Sequence, residues 1–198
     1  WVGTLYGVSE SWSTHKMCGL RSLPGARSAI TPGFTGHTRN LKGMKNLLIR
    51  PATPEDAESI FLVHKNSVEN LCNADYGPEQ IAMWLDGRSP ETYRSAIDAG
   101  NLWLACNDRL QGFVEIDGHE VSKLFIRGEA AGQGVGKRLL AEALQQIAAA
   151  GHTSAYLEAT LTAEKFYAAC GFRKIGEGTF SRGNSPVSIE IIKMARIL

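Results

Sequence analysis

The sequence predicts a mixed α/β fold, in which helices cover a sheet. Two observations predict it: three strand-like segments follow one another in series, and strand-like and helix-like segments alternate further along the chain. Strands in series favour an antiparallel meander, and alternation with helices adds layers over the sheet. With 198 residues, the chain is long enough for a single well-buried domain.

One strand and three helices open the predicted domain. Pro51 ends the strand, and Pro54 lies where the first turn of a helix tolerates proline. Gly100 closes the third helix as a left-handed cap. The predicted elements are a strand over Leu47–Arg50, a helix from Thr53 to Leu71, and helices over Pro78–Leu85 and Pro90–Ala99.

An antiparallel meander follows the third helix. Asn107 and Asp108 form one turn signal, and Asp117 with Gly118 forms the next. The predicted strands cover Leu102–Cys106, Gln111–Ile116 and Val121–Ile126.

The most informative segment is VSKLFIRGEAAGQGVGKRLLAEAL, residues 121–144, where an apolar strand runs through a glycine-rich turn into an amphipathic helix. The first N–H groups of a helix lack intrahelical partners and lie at the positive end of its dipole, so they bind anions. Glycines at 132, 134 and 136 let a diphosphate approach those amides. Apolar residues recur at helical spacing up to Gly151, which ends the helix. The turn therefore predicts a phosphate site.

Two common phosphate motifs do not match this turn. A P-loop requires glycine at the position of Ala131 and a hydroxyl residue at that of Arg138, so hydrolysis of a nucleoside triphosphate is disfavoured. A dinucleotide fingerprint requires glycine at Lys137 or at Leu139. A nucleotide-binding regulator is therefore the weakest of the hypotheses for this turn.

The turn resembles the acetyl-CoA motif of the GNAT superfamily of N-acyltransferases, an apolar strand end followed by Arg/Gln-x-x-Gly-x-Gly/Ala at a helix start. The corresponding strand end is Leu124, Phe125 and Ile126, and the turn is residues 131–136. Ala131 departs from the pattern, since the family usually carries Arg or Gln there. Backbone amides do most of the diphosphate binding in this family, so the resemblance implies weaker affinity at this position and an intact site.

A second signature of the same family lies further along the chain. Ser154–Thr160 reads as a strand, and a short helix capped by Thr162 and ended by Gly171 comes after it. Phe166 with Tyr167, and Gly171 with Phe172, match the family pattern. Thr162 stands where members often have Asn. The two motifs cover residues 121–172, and the resemblance extends more loosely from Leu47 to the C-terminus.

The resemblance implies a GNAT-type fold, with a central mixed, mostly antiparallel sheet flanked by helices, and acetyl-CoA as cosubstrate. Because a bulge prevents normal pairing of the strand before the turn, its backbone N–H groups serve the thioester and pantetheine. The residues implied for the cofactor are Leu124, Phe125, Ile126, Ala131, Gly132, Gln133, Gly134, Val135, Gly136, Lys137, Thr162 and Phe166.

Acyl transfer to an amine requires a proton acceptor. Several family members place an acid or a histidine at the start of this strand, where the chain has Glu120, and we take Glu120 as the base. Strict alternation puts it on one face with Leu124 and Ile126. Glu120 is otherwise a solvated acid at a strand start. The alternatives are a water relay or the side chains of Glu115, His119 and Glu158.

The leaving thiolate requires a proton donor. Tyr167 lies in the helix that runs beside the cofactor in the family, and we take its hydroxyl as the acid, with Phe166 in the core and Tyr167 facing the cleft. The alternative is that both aromatic side chains only pack.

The sequence says least about the acceptor substrate, the amine that would receive the acetyl group. In this fold the first two helices and their loop form much of the acceptor wall, which nominates His64, Asp75, Tyr76 and Trp84. Each also has a structural interpretation, in a helix face, a turn or the core. No charged cluster distinguishes a polyamine, an aminoglycoside, an amino acid or a peptide N-terminus.

Composition excludes several classes. A formal net charge of +1 gives no general field for nucleic acid or membrane surfaces, and no apolar run approaches the ~20 residues of a membrane span. Cysteines at 18, 72, 106 and 170 have neither zinc-site nor disulfide-scaffold spacing, so we expect no metal and a reducing cytoplasm. Whether the protein forms a homodimer stays open.

Residues 1–43 differ in composition from the rest of the chain. They are rich in Gly, Ser, Thr and Arg, contain Glu10 as their single acid, and lack a sustained period. We interpret them as a leader before a GNAT domain at 44–198; an organellar transit peptide is the alternative. The leading hypothesis for the domain is an acetyl-CoA-dependent N-acetyltransferase acting on a primary amine. A catalytically inactive acyl-CoA-binding sensor is the alternative.

Overall fold

The computed structural model describes residues 47–198, in which a seven-stranded sheet carries helices on both faces. Short 3₁₀ turns precede α1, α3, α4 and α5. The elements are β1 (Leu48–Pro51), α1 (Ala57–Leu71), α2 (Pro78–Leu85), α3 (Arg94–Asp98), β2 (Leu102–Cys106), β3 (Leu110–Asp117), β4 (Glu120–Ile126), α4 (Val135–Ala149), β5 (Ser154–Thr160), α5 (Glu164–Ala169), β6 (Arg173–Phe180) and β7 (Ile189–Ile197).

The strand order is β1-β2-β3-β4-β5-β7-β6, and every neighbouring pair is antiparallel except β4 and β5. The predicted mixed, mostly antiparallel sheet flanked by helices is confirmed. The predicted bounds of α2, β2 and β5 are those observed. The sequence interpretation named neither β6 nor β7.

Alternation along the strands divides the core in two. Val114 and Leu124 point to the side that α4 and α5 cover, here called the α4 face. Phe113 and Phe125 point to the opposite side, the α1 face, which α1, α2 and α3 cover. The central strands β3 and β4 are therefore buried on both faces over most of their length, and their polar residues are buried with the apolar ones.

The predicted leader, residues 1–43, and its boundary with the domain at residue 44 lie outside the described residues. Within residues 47–198, no helix combines the length and the apolar character that a membrane crossing requires.

Candidate active site

A gap divides the sheet between β4 and β5. One pair, Glu120 with Tyr156, joins the two strands, together with a bond from the Tyr156 amide to the His119 carbonyl at 3.0 Å. Residues 121–126 of β4, apart from Ser122, pair with β3 on one side, and none of them pairs with a strand on the other. Parallel strands end at the same edge of a sheet, so α4 and α5 both begin at the open end of this gap.

The hydrogen-bond pattern decides which peptide groups of β4 line the gap. The Arg127 amide donates to the Gln111 carbonyl of the β3 side at 2.8 Å. The direction of these groups alternates along an antiparallel strand, so the peptide groups of Phe125 also face β3. Those of Leu124 and Ile126 face the gap. Among the three strand residues predicted to serve the cofactor, these two offer backbone N–H groups there.

A β-bulge lies at the closed end of the gap. Glu115 pairs with Lys123, whereas Ile116 pairs with Val121, so Ser122 is an extra residue in β4. The sequence resemblance implied a bulge in this strand, and the structure places one here.

The bulge corrects the predicted orientation of Glu120. Strict alternation puts Glu120 on the face of Leu124 and Ile126, and that prediction is wrong. Leu124 and Ile126 belong to the core of the α4 face. Glu120 pairs with Asp117, which shares the α1 face with Glu115 two residues before it. One inserted residue moves the carboxylate to the other side of the sheet.

The turn at the open end presents backbone amides. Gly132 and Gly134 have φ of 74° and 83°, a conformation that favours glycine. The first intrahelical donor of α4 is the Arg138 amide, which bonds to the Gly134 carbonyl at 3.1 Å. The amides of residues 135–137 therefore precede the ladder at the positive end of a fifteen-residue helix. This geometry suits a diphosphate.

Side chains of the turn mostly point away from a ligand. Ala131 packs against the core of the α4 face, where a longer residue is usual in the family. Gln133 donates its side-chain amide to the Glu129 carbonyl at 2.7 Å, which fixes the turn. Lys137 is exposed in the first turn of α4.

Thr162 does not cap the helix, contrary to the prediction. Ala163 occupies the N-cap position of α5 and offers no capping side chain, and Thr162 lies inside the preceding 3₁₀ turn. Its hydroxyl instead donates a short hydrogen bond to the Asp75 carboxylate. This contact ties the α1–α2 loop to the start of α5.

The structure reverses the predicted exposures of the aromatic pair. Tyr167 is fully buried on the α4 face, with Phe166 and Phe172 edge-on to it at ring distances of 5.1 and 5.8 Å. Phe166 is partly exposed. Any proton transfer from the Tyr167 hydroxyl would therefore occur inside the protein.

Glu120 lies half-buried where the gap closes. Burial raises the pKa of Glu120 to about 7, and the nearby charges of Glu158 and Asp117 act in the same direction, against the opposing charge of Lys123. Glu158, on β5, accepts a hydrogen bond from the Tyr156 hydroxyl at 2.9 Å. A carboxyl with such a pKa exchanges protons readily near neutral pH.

A polar pocket of about 480 Å³ lies near Glu120, on the α1 face. It extends from the ends of β3 and α3 to the loop that joins β6 to β7. Its lining residues are Arg88, Thr92, Ser95, Ala96, Ala99, Asn101, Glu115, Ile116, Asp117, Lys123, Phe180, Ser181, Arg182 and Gly183.

A buried ion pair forms the floor of this pocket. Glu115 Oε1 accepts a short hydrogen bond from Lys123 Nζ and a weaker bond from the Ser122 hydroxyl at 3.2 Å. Glu115 is 6% exposed, and its Oε2 atom has no hydrogen-bond partner among the described residues. The bulge produces this arrangement, because it brings Ser122 and Lys123 together on one carboxylate.

The acetyltransferase (GNAT) domain family matches residues 72–193, well over half of the chain. The chain belongs to this family. The match includes α2, the gap, the glycine-rich turn and α5, so both motifs predicted from the sequence lie in it.

Solved GNAT structures share the fold. A GCN5-related N-acetyltransferase from Rhodopseudomonas palustris is 24% identical, with a TM-score of 0.72 over 78% of this chain and 97% of its own. The paiA N-acetyltransferase of Thermoplasma acidophilum, in complex with coenzyme A, is 21% identical, with a TM-score of 0.62 over 77% and 99%. The Salmonella typhimurium protein yncA, with its cofactor acetyl-CoA, is 13% identical, with a TM-score of 0.60 over 78% and 95%. No curated protein matches the chain.

Two of the nominated acceptor-wall residues of this acetyltransferase domain are deep in the core of the α1 face. His64 stacks on Phe125 at 3.8 Å, and its Nδ1 atom lies 2.6 Å from the Tyr93 hydroxyl oxygen. Burial lowers the pKa of His64 well below its usual range, so its imidazole is neutral. Trp84 is also fully buried and packs edge-on to Phe125.

The other two nominated residues connect elements. The Tyr76 hydroxyl donates to the Glu190 carbonyl at 2.8 Å and accepts from the Leu161 amide at 3.0 Å. Burial raises the pKa of Tyr76 to about 12. Asp75 is exposed and accepts the hydroxyl of Thr162. None of the four nominated residues lines the pocket.

The sequence interpretation missed the charged lining of the pocket. One signal was present: Lys123 and Glu115 interrupt two apolar strands that the meander makes neighbours, and buried opposite charges pair. No comparable signal marked Arg88 and Arg182, which are far apart in sequence. Within residues 47–198, no cluster of three or more His, Cys, Asp or Glu side chains could hold a metal ion.

Proposed function

We propose that the protein transfers an acetyl group from acetyl-CoA to a primary amine of a small molecule or peptide, by direct attack of the amine in a ternary complex. One observation carries this proposal. The gap connects an amide-lined turn that suits a diphosphate to a half-buried carboxyl beside a polar pocket. Residues 121–126 span about 20 Å at the usual rise of a strand, so an extended pantetheine arm could follow them.

Two parts of the chain along the gap would bind acetyl-CoA. The turn amides of residues 135–137 would hold the diphosphate, and the peptide groups of Leu124 and Ile126 would hold the arm. The Thermoplasma and Salmonella structures contain coenzyme A and acetyl-CoA, which supports this choice of ligand.

Glu120 is the proposed base, acting from the α1 face. It takes the proton that the amine loses as the nitrogen bonds to the acetyl carbon and the carbon–sulfur bond breaks. Tyr167 is the proposed acid, acting from the α4 face, and it donates a proton to the departing thiolate. The net transfer is one proton from nitrogen to sulfur. The two groups belong to opposite faces of the sheet, so amine and thiolate do not compete for one site.

Two measurements test the proposal. Acetyl-CoA and CoA should each raise the melting temperature of the protein, whereas ATP should not, because ligand binding to the native state stabilises it. A panel of amines with acetyl-CoA should then release free thiol and yield an N-acetylated product detectable by mass spectrometry. Stabilisation by CoA without acetylation of any amine would favour the acyl-CoA sensor, and stabilisation by ATP alone would contradict the CoA site.

A further inference from the structure

We propose that the acceptor is a small amine that carries a carboxylate, and that Arg88 and Arg182 bind this carboxylate in the polar pocket. The inference deepens the proposed function and rests on it. It assigns a substrate class to the pocket on the α1 face.

The two arginines meet on a single carbonyl. Arg88 follows α2 and donates its Nε–H to the Trp84 carbonyl at 3.1 Å. Arg182, from the loop between β6 and β7, donates an Nη1–H to the same oxygen at 3.4 Å. Both side chains line the pocket. The fold therefore brings together two guanidinium groups from segments almost a hundred residues apart.

Among the described residues, neither guanidinium has a carboxylate within ion-pair distance. Burial lowers the pKa of Arg88, and the charge of Arg182 acts in the same direction, against the opposing effects of Tyr93 and of the Glu115 charge. Guanidinium groups bind carboxylates through paired hydrogen bonds, which an acceptor could supply.

Besides the two arginines, the pocket lining contains one cation, Lys123, and two carboxylates, Glu115 and Asp117. Lys123 is already paired with Glu115, whose second oxygen is buried and has no partner in the described part of the chain. Asp117 also lines the pocket. Three cations against two carboxylates leave one excess positive charge in the lining. An amine with one carboxylate therefore complements the pocket better than a polyamine, which would face the arginines with further positive charge.

The volume of about 480 Å³ fits a small molecule, since ligand pockets commonly enclose roughly 300–1,000 Å³. A peptide N-terminus has a carboxylate beside its amine only where one of its first residues is acidic. An amino acid has both groups within a few bonds. The structure thus favours free amino acids and related amino carboxylates.

The experiment compares matched amines. Acetylation by the full chain is measured with standard L-amino acids, their carboxamides and the corresponding decarboxylated amines, in saturating acetyl-CoA. At least one amino acid should exceed both matched compounds in kcat/KM by roughly tenfold to a hundredfold, since hydrogen bonds to charged groups contribute on that scale. An aminophosphonate series distinguishes a general anion site, which would accept it, from a site shaped for the planar carboxylate.

Variants then locate the recognition. Arg88→Gln and Arg182→Gln should each reduce the preference for the acid over its decarboxylated amine by about tenfold or more, mostly through KM. Arg88→Lys should restore part of the preference, because it keeps the charge but not the paired donors. Arg94→Gln is the matched control: Arg94 is exposed on α3 and does not line the pocket, so the preference should remain.

Equal acetylation of acids, carboxamides and decarboxylated amines would overturn the inference while supporting the proposed function. Equal loss of preference in Arg94→Gln would overturn it as well, because a general field would then explain the selectivity. If no amine is acetylated although CoA binds, the proposed transfer fails, and calorimetric titration of the CoA complex with the same compounds decides the inference. Binding of amino acids that weakens in Arg88→Gln would support it, and absence of binding would overturn it.

Discussion

The two ends of the gap use different parts of the chain. At the open end, the turn before α4 offers backbone amides, and its glycines supply a conformation rather than a functional group. At the closed end, side chains from β3, β4, β5 and two loops surround Glu120 and the pocket. One end is made by backbone geometry, and the other by side-chain chemistry.

A fold with these two kinds of site can keep one ligand and change another. A backbone site depends on local conformation, so few substitutions alter what it binds. A side-chain site changes with each substitution. We therefore expect cofactor binding to fail only when the turn itself is disturbed, and acceptor choice and rate to respond to single side chains.

The largest expected effect is at the closed end. Glu120→Gln should lower turnover by ~10²–10⁴, the usual contribution of a positioned base, while acetyl-CoA affinity changes little. In the wild type the rate should rise with pH through about 7, the pKa of Glu120, because only the ionised carboxylate accepts a proton. The variant should lack this acidic limb. Steady-state rates from pH 5.5 to pH 9 in roughly half-unit steps measure both.

Glu158→Gln is the matched control for this prediction. The charge of Glu158 helps to raise the pKa of Glu120, so its removal should move the acidic limb to lower pH and keep the limb itself. Undiminished turnover with an unchanged limb in Glu120→Gln would transfer the role to Glu115, His119, Glu158 or a water relay.

The raised pKa also predicts an effect on stability. The unfolded chain ionises Glu120 near its ordinary pKa, whereas the folded state resists ionisation until about pH 7. Ionisation therefore opposes folding, and the wild type loses stability as pH rises through this window. The free energy of unfolding of Glu120→Gln should fall less over the same range, which urea titrations at pH 5 and pH 8 would show.

The open end gives the next largest effect. Gly132→Asp and Gly134→Asp should each weaken CoA binding by at least about a hundredfold, because a carboxylate beside a diphosphate costs several kcal/mol at short range. Gly100→Asp is the control: its φ of 71° is close to the 74° of Gly132, and added atoms meet open space at both positions. The control shares the backbone strain without the site. Equal loss of CoA affinity in all three variants, measured by titration calorimetry, would contradict the assignment.

Local sequence pattern predicted the strand, turn and helix of the open end but not the contacts of the closed end, for a physical reason. Glycines 132 and 134 report a backbone conformation directly, since few other residues adopt positive φ. The strand, turn and helix are also adjacent in the chain, so local pattern suffices. The family match to residues 72–193 then confirmed the identification made from these motifs.

The closed end depends on contacts that local pattern does not contain. The bulge at Ser122 inverts the side on which Glu120 lies, and a two-residue period cannot reveal an inserted residue. The prediction that Tyr167 faces the cleft was wrong because a helix of six residues is too short for its sequence pattern to show which side is buried. Arg88 and Arg182 are far apart in the sequence, and they come close only because the loop between β6 and β7 lies beside the end of α2.

For the buried ion pair of Glu115 and Lys123 at the closed end, we expect an intermediate effect, on the free energy of unfolding. Glu115→Gln or Lys123→Met alone leaves a buried charge without its main partner and should destabilise the fold by about 3 kcal/mol. The double variant should recover much of this loss, because replacement of both charges removes the desolvation cost as well. Urea unfolding of the four proteins gives the coupling energy. Strictly additive losses would show that the two side chains act independently, and would contradict a functional pair on the pocket floor.

The smallest expected effect concerns Tyr167, in the core of the α4 face. A thiol near its ordinary pKa of about 8.5 leaves more readily than an alcohol or amine, so loss of its proton donor should cost only about tenfold in turnover. Tyr167→Phe keeps the ring contacts with Phe166 and Phe172, so CoA affinity should stay near that of the wild type. The acidic limb assigned to Glu120 should persist, with a lower plateau above it. A Tyr167→Phe enzyme with an unchanged plateau would show that the thiolate leaves without this acid. Tyr167 would then serve the core of the α4 face alone, and its complete burial would be explained by packing.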